Sequence, residues 1–401
     1  MRVALVHDYI KEYGGAERVL EALHEIYPDA PVFTSLYIPE FLGPHRERFE
    51  NWDIRTSIAQ FLPFKAKLIS PLRIIAPLLF KSFDFSDFDV VIVSATGAYN
   101  PNIISKKIAV QICYCHTPPR YLYGFATARE WKNNVIFRVL GELANHFLRL
   151  VDFRSAQNVD FFIANSQNVA ARVRKFYRKN STVIYPPVGL SAEVASKNFR
   201  VHNAGKISDS DKANGANAHS ENFEISPRSY YLTGGRLARP KHIDLIVETC
   251  AKLNLSLKVF GRGFAGFEEE IKNKILNIKN TNKKSKIEFL GEIKDNIKLE
   301  LMRNAKAFII AAEDEDFGIT PVEAMSVGTP VIAYRSGGVL ESIIAERTGL
   351  FFNELSIDHL SKAIKQFNNL TIRPEDCIFQ AQKFSKERFK KEISAFVENK
   401  I

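Results

Sequence analysis

The sequence lacks any apolar run long enough to cross a bilayer, since no stretch reaches roughly 18 uninterrupted apolar residues. An acid already appears at Asp8, which is too early for the apolar core of a signal peptide. Cysteine is scarce, and the four that are present do not have the paired spacing of a zinc site. We therefore expect a cytoplasmic chain with reduced, structural cysteines.

The composition also lacks the signature of disorder. Hydrophobic residues make up 46% and charged residues 25% of the chain, as in ordinary globular proteins. A chain of 401 residues is long enough for two or three domains. Lys and Arg number 55 against 45 Asp and Glu, and the resulting net charge of +10 favours an anionic partner. Charge alone leaves nucleic acid, a membrane surface and a phosphorylated substrate open.

Short apolar strands alternate with helical stretches along most of the chain. The first strand runs into Gly14-Gly15, after which Val19, Leu20 and Leu23 recur at helical spacing. Continuous apolar strands separated by helices indicate parallel sheets that are covered on both faces. Further strands of this kind are predicted at 89–97, 108–116, 160–166, 230–237, 256–263, 286–293, 307–315 and 329–338.

A polar segment divides the chain into two halves. Residues 191–228 are rich in Ser, Asn, Lys, Asp and Gly and predict an interdomain linker. The division gives an N-terminal domain over 1–190, a C-terminal domain over 229–380 and a C-terminal helix over 381–401. Two doubly wound α/β domains that face each other across a cleft are the simplest architecture. Ligands of such sheets bind at the carboxyl ends of the strands.

Two loops of the predicted cleft suit an anion. Gly14-Gly15 leads from a strand into a helix, where free amides and the helix dipole attract negative charge, although a tight turn explains two glycines equally well. A second helix is predicted to start at Pro240, because proline suits a first helical turn. Arg236 and Lys241 flank this predicted start. The dipole disfavours cations there, so the pair indicates a strongly negative ligand between them. Solvated surface charges are the alternative.

Two further residues carry competing interpretations. Thr320-x-x-Glu323 predicts a capping box, yet a carboxylate at this strand-to-helix turn can instead accept hydrogen bonds from the hydroxyls of a ribose. His116 follows a strand and precedes two prolines, which leaves cleft chemistry and packing both open. No metal site is predicted, because Asp209-Ser210-Asp211 lies in the polar segment and the adjacent acids 313–316 point to alternate sides.

Glu315-x7-Glu323 within EDEDFGITPVEAMSVGTPVIAYRSGG, together with GGRLARPK, resembles glycosyltransferase family 4, the retaining nucleotide-sugar transferases with the GT-B fold. The resemblance covers nearly the whole chain outside the polar segment. It implies a C-terminal helix that returns to the N-terminal domain. The more specific motifs are similar to those of bacterial mannosyltransferases that build O-antigen and related surface polysaccharides: HDYIKEYGGAERV, YCHTPPRYLYG, FIANSQNVAARV and VIYPPV.

The resemblance implies a role for each candidate residue that handles charge. Arg236 and Lys241 would hold the donor diphosphate, and Gly14 and Gly15 would close over the phosphates from the other domain. Glu323 would bind the ribose. The sequence departs from the family pattern directly after Lys241, where His242 stands at a position at which Gly or Arg is common.

The resemblance also implies the contacts to the sugar and the base. Glu315 and the amides around Phe317, Gly318 and Ile319 would bind the transferred sugar, and His116 would contact that sugar near its reacting carbon. The nucleotide base would be received through the backbone of two loops, at Gly261, Gly263 and Ile293.

The implied function is retaining transfer of mannose from GDP-mannose to a hydroxyl of a lipid-linked saccharide, on the cytoplasmic face of the inner membrane. Neither a divalent metal nor a cofactor is expected. A sugar-nucleotide epimerase or a phosphorylase of the same fold is an alternative, but the proton-transfer pairs or the cofactor lysine that they need are not apparent. A non-catalytic protein that binds nucleotides or nucleic acid is a second alternative. No nucleic-acid partner is expected, however, because the basic residues are dispersed and do not form a stripe interleaved with aromatics.

One segment predicts contact with an anionic membrane surface. Between Ile54 and Phe83 the sequence has five basic residues, no acid and many large apolar residues. Such a segment suits a protein surface that dips into an anionic leaflet. The alternative is a buried helical hairpin with solvated lysines. The basic residues are Arg55, Lys65, Lys67, Arg73 and Lys81.

Overall fold

A computed structural model of the chain describes residues 1–106, 108–127, 135–189 and 228–401. The predicted linker, apart from Arg228, lies outside the described residues, as does Asp209-Ser210-Asp211. Across the described ranges, no helix is both long and apolar enough to span a bilayer.

The N-terminal half forms a parallel sheet in which the described strands are ordered β3-β2-β1-β4-β5-β6-β7. The order reverses between β1 and β4, which creates the crevice where ligands of doubly wound sheets bind. The central strands β1, β4 and β5 are buried along nearly their whole length, as expected for a sheet covered on both faces. Their bounds are β1 Val3–His7, β2 Val32–Thr34, β3 Ile54–Thr56, β4 Val90–Ala95, β5 Val110–Cys115, β6 Phe161–Ala164 and β7 Ser181–Val183.

The C-terminal half repeats this plan. Its described strands are parallel and ordered β10-β9-β8-β11-β12-β13, so the order again reverses beside the first strand of the unit. The two sheets confirm the predicted architecture of two doubly wound domains. The bounds are β8 Tyr230–Leu237, β9 Leu257–Gly263, β10 Ile287–Gly291, β11 Ala305–Ile310, β12 Val331–Tyr334 and β13 Gly349–Phe352.

Helices cover both faces of the sheets. In the N-terminal half they are α1 Gly15–Ile26, α2 Lys65–Leu68, α3 Ala76–Lys81, α4 Val135–Gln157 and α5 Gln167–Tyr177. In the C-terminal half they are α6 Ile243–Lys252, α7 Phe267–Thr281, α8 Asp295–Asn304, α9 Ile319–Ser326, α10 Val339–Ser342, α11 Ile357–Phe367, α12 Pro374–Gln382 and α13 Lys386–Glu398. Short 3-10 turns occur at 39–41, 43–49, 58–61, 71–74 and 239–241.

The last helix, α13, crosses back to the N-terminal domain, as the resemblance implies. Phe389 and Ile393 are buried in the same apolar cluster as β1 and α1, and the Phe389 ring lies 5.8 Å from that of Tyr114. Lys386 donates to Glu25 of α1 over 2.8 Å. Helix α13 begins at Lys386, because Ser385 caps it, and α12 precedes it as a separate helix.

The strand pattern was read correctly wherever the apolar run was continuous. Strands β2, β3, β7 and β13 have no counterpart among the predicted strands, and the first three of these have only three residues each, too few for a period to register. The helix predicted to open at Pro240 begins later, at Ile243, because residues 239–241 form a 3-10 turn. His242 ends that turn with φ +47°, a left-handed conformation that glycine adopts more easily.

The return of α13 predicts a large effect for one aromatic side chain. Phe389→Ala removes a fully buried ring from the core of the N-terminal domain and should lower its free energy of unfolding by about 3–5 kcal/mol. Urea unfolding followed by tryptophan fluorescence measures this, because both tryptophans, Trp52 and Trp131, lie within residues 1–190.

The matched control is Phe379→Ala on α12, where the ring is 60% exposed, and a change of no more than about 0.5 kcal/mol is expected there. Equal effects of the two substitutions would contradict the docking of α13 on the N-terminal domain.

Candidate active site

The carboxyl ends of the two sheets face each other across a cleft of about 800 Å³. All but one of the predicted site residues line it. Gly263 does not, and its amide instead donates to the Glu268 carboxylate over 2.8 Å. The residues that the fold brings together are Gly14, Gly15, His116, Arg236, Lys241, Gly261, Ile293, Glu315, Phe317, Gly318, Ile319 and Glu323.

The Gly14-Gly15 loop opens α1 at the edge of the cleft. Gly14 is the N-cap, and its amide donates to the Glu17 carboxylate over 2.8 Å. A Cβ on Gly15 would come within 3.0 Å of the Ile319 side chain in the opposite domain. The glycines therefore let the two domains approach closely at the N-terminus of α1, where amides lack intrahelical partners.

The two cations of the C-terminal domain lie at the carboxyl end of β8. Arg236 belongs to the strand itself, and Lys241 closes the 3-10 turn that follows. Each is paired with an acid that lines the cleft: Arg236 with Glu12 of the N-terminal domain, and Lys241 with Glu315. Both cations are therefore engaged by acids of the cleft, although the Arg236 side chain stays 52% exposed, and the cleft interpretation is favoured over that of unpaired surface charges.

Glu315 and its neighbours form a tight loop between β11 and α9. A Cβ on Gly337 would come within 2.2 Å of the Glu315 carbonyl oxygen, so this approach requires glycine. Gly318 caps α9 with φ +90°. Burial alone would raise the pKa of Glu315, but Lys241 and the more distant Arg120 and Arg172 outweigh burial and lower it. The carboxylate is therefore ionised at neutral pH.

The predicted capping box at Thr320 is wrong. Helix α9 starts at Ile319 with Gly318 as its N-cap, so Glu323 is the fifth residue of the helix and lies too far along to reach back to its start. Its Oε1 instead accepts hydrogen bonds from Arg18 of α1 and, over 2.8 Å, from Lys298 of α8. Among the described residues, Oε2 has no hydrogen-bond partner, so that oxygen remains available to a ligand.

The charge of Glu323 is set by its two partners. Burial on its own would raise the pKa of this carboxyl group, but Arg18 and Lys298 outweigh burial and hold the pKa below its usual 4.5. The ion pair with Arg18 also joins the two domains, because Arg18 belongs to α1. Local sequence patterns do not reveal that Arg18 and Lys298 bind Glu323, because these residues lie 305 and 25 positions away from it along the chain.

His116 lies on the opposite wall of the cleft, just after β5. The strand end is fixed by hydrogen bonds from the His116 amide to Ala95 and from the Asn165 side chain to the His116 carbonyl oxygen. Burial, with a smaller effect from the nearby His7, lowers the pKa of His116 to about 3. The imidazole is therefore neutral at physiological pH.

A second set of ion pairs between the domains surrounds Asp316. Its Oδ1 accepts from Arg120 at 2.9 Å and from Arg172 at 2.7 Å. Nearby, the carboxylate of Glu341 accepts the amides of Gln167 and Asn168, which open α5. The two arginines lie in the motifs YCHTPPRYLYG and FIANSQNVAARV, which the family resemblance includes. The resemblance gives neither arginine a role, although membership of these motifs is a signal for one.

The acids 313–316 do not converge on one point. Glu315 pairs with Lys241 and Asp316 with the two arginines, whereas Glu313 lies 3.4 Å from His242. Within the described ranges, no group of three or more potential ligands could hold a metal ion.

The loop predicted to receive the base is shaped by close backbone contact. A Cβ on Gly261 would lie only 1.9 Å from the Gly235 carbonyl oxygen, so β8 and β9 touch at their carboxyl ends and leave backbone groups facing the cleft. Ile293 lies beside this contact in the loop after β10. A flat, backbone-lined surface of this kind suits a planar ring.

Comparisons with known proteins agree with this geometry. Residues 13–192 match the family described as Glycosyltransferase Family 4, and residues 217–384 match Glycosyl transferases group 1. The alpha-1,3/1,6-mannosyltransferase ALG2 of Mus musculus is 24% identical over 388 residues, which cover 88% of this chain and 84% of that protein.

Two solved structures are similar over essentially the full length. Sucrose-phosphate synthase from Thermosynechococcus elongatus has a TM-score of 0.69 at 16% identity, and the match covers 100% of this chain and 99% of that one. Anabaena Alr3699/HepE in complex with UDP has a TM-score of 0.65 at 15% identity, with all of both chains covered. At this level of identity the likeness establishes the fold.

The ion pairs of Glu323 predict a pH-dependent stability effect. Glu323→Gln keeps the shape of the side chain but leaves Arg18 and Lys298 without their shared carboxylate, so the free energy of unfolding at pH 7 should fall by about 2 kcal/mol. Because the folded-state pKa of Glu323 lies below its unfolded value, its contribution is complete above about pH 5 and is lost as the pH falls through the folded-state pKa.

Urea unfolding at pH 7 and at a series of lower pH values measures the difference between the two proteins. It should shrink below about pH 4.5, as wild-type Glu323 takes up its proton. Glu47→Gln, at an exposed position, is the control and should leave stability unchanged at every pH. A difference that does not change with pH would contradict the assignment of the charge to Glu323.

Proposed function

The chain is a family 4 glycosyltransferase with the GT-B fold, and from this premise we propose that it transfers mannose from GDP-mannose, with retention, to a hydroxyl of a lipid-linked saccharide used in surface-polysaccharide or O-antigen synthesis. The mannosyl donor is supported by the motifs of the N-terminal half and by the ALG2 relatives, which are named as mannosyltransferases. The reaction uses no divalent metal.

One observation carries the proposal. The two cations at the end of β8, Arg236 and Lys241, and the two acids eight residues apart, Glu315 and Glu323, converge on one cleft opposite the Gly14-Gly15 loop. A nucleotide diphosphate sugar has the matching sequence of groups: an anionic diphosphate, a ribose diol and a polyhydroxylated sugar.

The chemistry of the cleft is the handling of charge. As the glycosidic bond breaks, negative charge grows on the diphosphate, and Arg236, Lys241 and the amides that open α1 stabilise it. The available Oε2 of Glu323 accepts from a ribose hydroxyl, while Oε1 stays bound to Arg18 and Lys298. Glu315 and the amides after it hold the sugar, with the neutral His116 on the other side.

The proposed transfer retains the configuration of the reacting sugar carbon without a protein nucleophile. In this family the leaving phosphate is thought to take the acceptor proton on the same face of the sugar, so a general base is not needed. An epimerase of the same fold would need paired acids and histidines for proton transfer. The matched families are described as glycosyl transferases, which favours transfer over epimerisation.

The donor assignment predicts a ranked response to nucleotide sugars. GDP-mannose should raise the melting temperature more than UDP-glucose or ADP-glucose, because binding to the folded state stabilises it in proportion to affinity. With octyl α-mannoside as the acceptor, GDP release should continue at an unchanged rate in saturating EDTA. Loss of activity in EDTA that manganese or magnesium restores would contradict metal-independent transfer.

Substitutions within one loop serve as the control for this experiment. Lys241→Ala should lower kcat by about 100-fold, since it removes a charged contact that strengthens in the transition state. Arg239→Ala, two residues away, should leave kcat unchanged, because Arg239 pairs with Glu270 and does not line the cleft. A fall in melting temperature without a change in kcat would make Lys241 a purely structural residue.

The location proposed for the enzyme is the cytoplasmic face of the membrane, and an exposed apolar surface supports it. After β3, residues 58–83 form short helical turns in which part of the large side chains point outward; Phe61 is 86% and Phe64 79% exposed. Others are buried in the domain core, namely Leu72, Leu79 and Phe80. A buried hairpin would also hide Phe61 and Phe64. Exposed apolar surface of this extent marks an interaction site.

Helix α4 carries a second row of exposed apolar side chains in the same domain. They recur at helical spacing on the face opposite the buried Asn145 and Leu148, so they form one stripe. Tyr121 lies between the two segments: the Arg73 guanidinium stacks on its ring at 4.0 Å, and Asn145 donates to its carbonyl oxygen. The stripe consists of Val139, Leu140, Leu143, Phe147 and Leu150.

Not all of the basic residues in this region face outward. Arg73 donates to the carbonyl oxygen of Ala98 over 3.0 Å and lines the cleft, and Arg55 pairs with Asp53. Lys65, Lys67 and Lys81 are the cations available to lipid headgroups. They favour an anionic bilayer as the partner of the apolar surface.

Reversal of these three charges predicts a loss of lipid binding. Lys65→Glu, Lys67→Glu and Lys81→Glu together should weaken sedimentation with vesicles that contain anionic phospholipid by about 100-fold, at roughly 1 kcal/mol for each cation. Reversal of three exposed lysines of the other domain, Lys279, Lys283 and Lys284, should have little effect. Binding that is independent of anionic lipid, or self-association without vesicles, would contradict the proposal.

A further inference from the structure

A row of buried polar side chains runs beneath the cleft from the Gly14-Gly15 loop to His116. Ser94 lies between two histidines: its Oγ is 3.1 Å from Nδ1 of His7 and 2.9 Å from Nε2 of His116. At the far end, Nε2 of His7 lies 3.6 Å from the Glu17 carboxylate. His7 and Ser94 have no exposed surface.

The sheet itself places these groups in line. His7 ends β1 and stands opposite Ser94 of the neighbouring strand β4 in the parallel register, and His116 follows the end of the next strand, β5. Glu17 is held at the other end, because one of its oxygens accepts the Gly14 amide that opens α1. Three adjacent strands and one helix start thus fix four polar side chains.

The row has a preferred direction of hydrogen bonding. The buried Nε2 of His7 has no hydrogen-bond partner among the described residues, and the Glu17 carboxylate lies 3.6 Å from it, just beyond hydrogen-bond distance. Because a carboxylate can only accept, this nearby negative charge favours an N–H at Nε2. Nδ1 of His7 is then the acceptor and takes the single hydroxyl proton of Ser94. Ser94 must in turn accept from Nε2–H of His116, which leaves the lone pair on Nδ1 of His116.

The other charged group next to His7 does not enter this row. The Asp8 carboxylate is bound by the amide and the hydroxyl of Thr96, and burial raises its pKa. If His7 carried two protons instead of one, both hydrogen bonds of Ser94 would reverse. His116 would then present an N–H in place of the lone pair.

We propose that Glu17, His7 and Ser94 are positioning residues that hold His116 as its Nε2–H tautomer and so present the Nδ1 lone pair to the bound sugar. The proposal rests on the proposed glycosyl transfer, in which positive charge develops on the sugar ring. A lone pair from a neutral ring stabilises a sugar hydroxyl that donates as this charge grows, whereas an N–H would oppose it. Within the described residues, Nδ1 of His116 has no hydrogen-bond partner.

The tautomer is measured directly, without substrate. The full chain is labelled with ¹⁵N-histidine, and two-bond ¹H–¹⁵N correlation spectra distinguish Nε2–H from Nδ1–H for each of its nine histidines. The His116 signals are assigned by their loss in His116→Gln. Wild-type His116 should be the Nε2–H tautomer, and Ser94→Ala and Glu17→Gln should each give a mixture of tautomers.

Kinetics then separate positioning from packing. Ser94→Ala should lower kcat about ten-fold while the KM for the donor stays unchanged, since only a transition-state contact is weakened. Ser155→Ala removes another buried hydroxyl of the same domain, away from the cleft, and should change neither kcat nor the tautomer.

Three results would overturn the proposal: Nδ1–H at His116 in the wild type, an unchanged tautomer in both variants that remain folded, or a changed tautomer with unchanged kcat. A wrong donor assignment would abolish turnover for every protein in the series but leave the tautomer spectra intact. The two failures are therefore distinguishable.

Discussion

Pairs of opposite charges between the two domains are the interaction on which the rest of the structure depends. The C-terminal domain contributes acids at its strand ends, and the N-terminal domain meets them with Arg18, Arg120 and Arg172. Charges lose hydration when they are buried, so each needs an oppositely charged partner, and for Glu323 and Asp316 such partners lie across the cleft. Because the partners sit on different domains, their pairing also fixes how the domains face each other, and with it the geometry of the site.

Ion pairs of this kind would also affect the affinity of the cleft for the proposed nucleotide-sugar donor. Arg236 is paired with Glu12, so a diphosphate has to replace an existing carboxylate rather than enter a site of bare positive charge. Only the difference between the new contact and the lost one contributes to affinity. Glu323 avoids this competition in part, because Arg18 and Lys298 both donate to its Oε1. Its Oε2 has no hydrogen-bond partner among the described residues and can accept from a ligand. A ribose bound as proposed would therefore leave the contact between the domains intact.

The fold could be predicted from sequence where local patterns determine it, and the site only in part. Continuous apolar strands and the Gly14-Gly15 turn are local features, and they were placed correctly. Thr320-x-x-Glu323 also looked local, but the positive φ available to Gly318 starts the helix earlier and frees Glu323 for partners that lie far along the chain. No periodicity shows that Arg18 meets Glu323, because that contact exists only once both domains have folded and docked.

The charges that line the cleft suit the polarity of the proposed reaction. Cations at the end of β8 face the position proposed for the diphosphate, where negative charge grows. Ionised Glu315 and a histidine whose pKa is lowered to about 3 face the position proposed for the sugar, where positive charge grows. A protonated histidine there would oppose the developing charge. Its burial beside His7 therefore does more than pack the strand ends, because it excludes the one protonation state that would work against bond breaking.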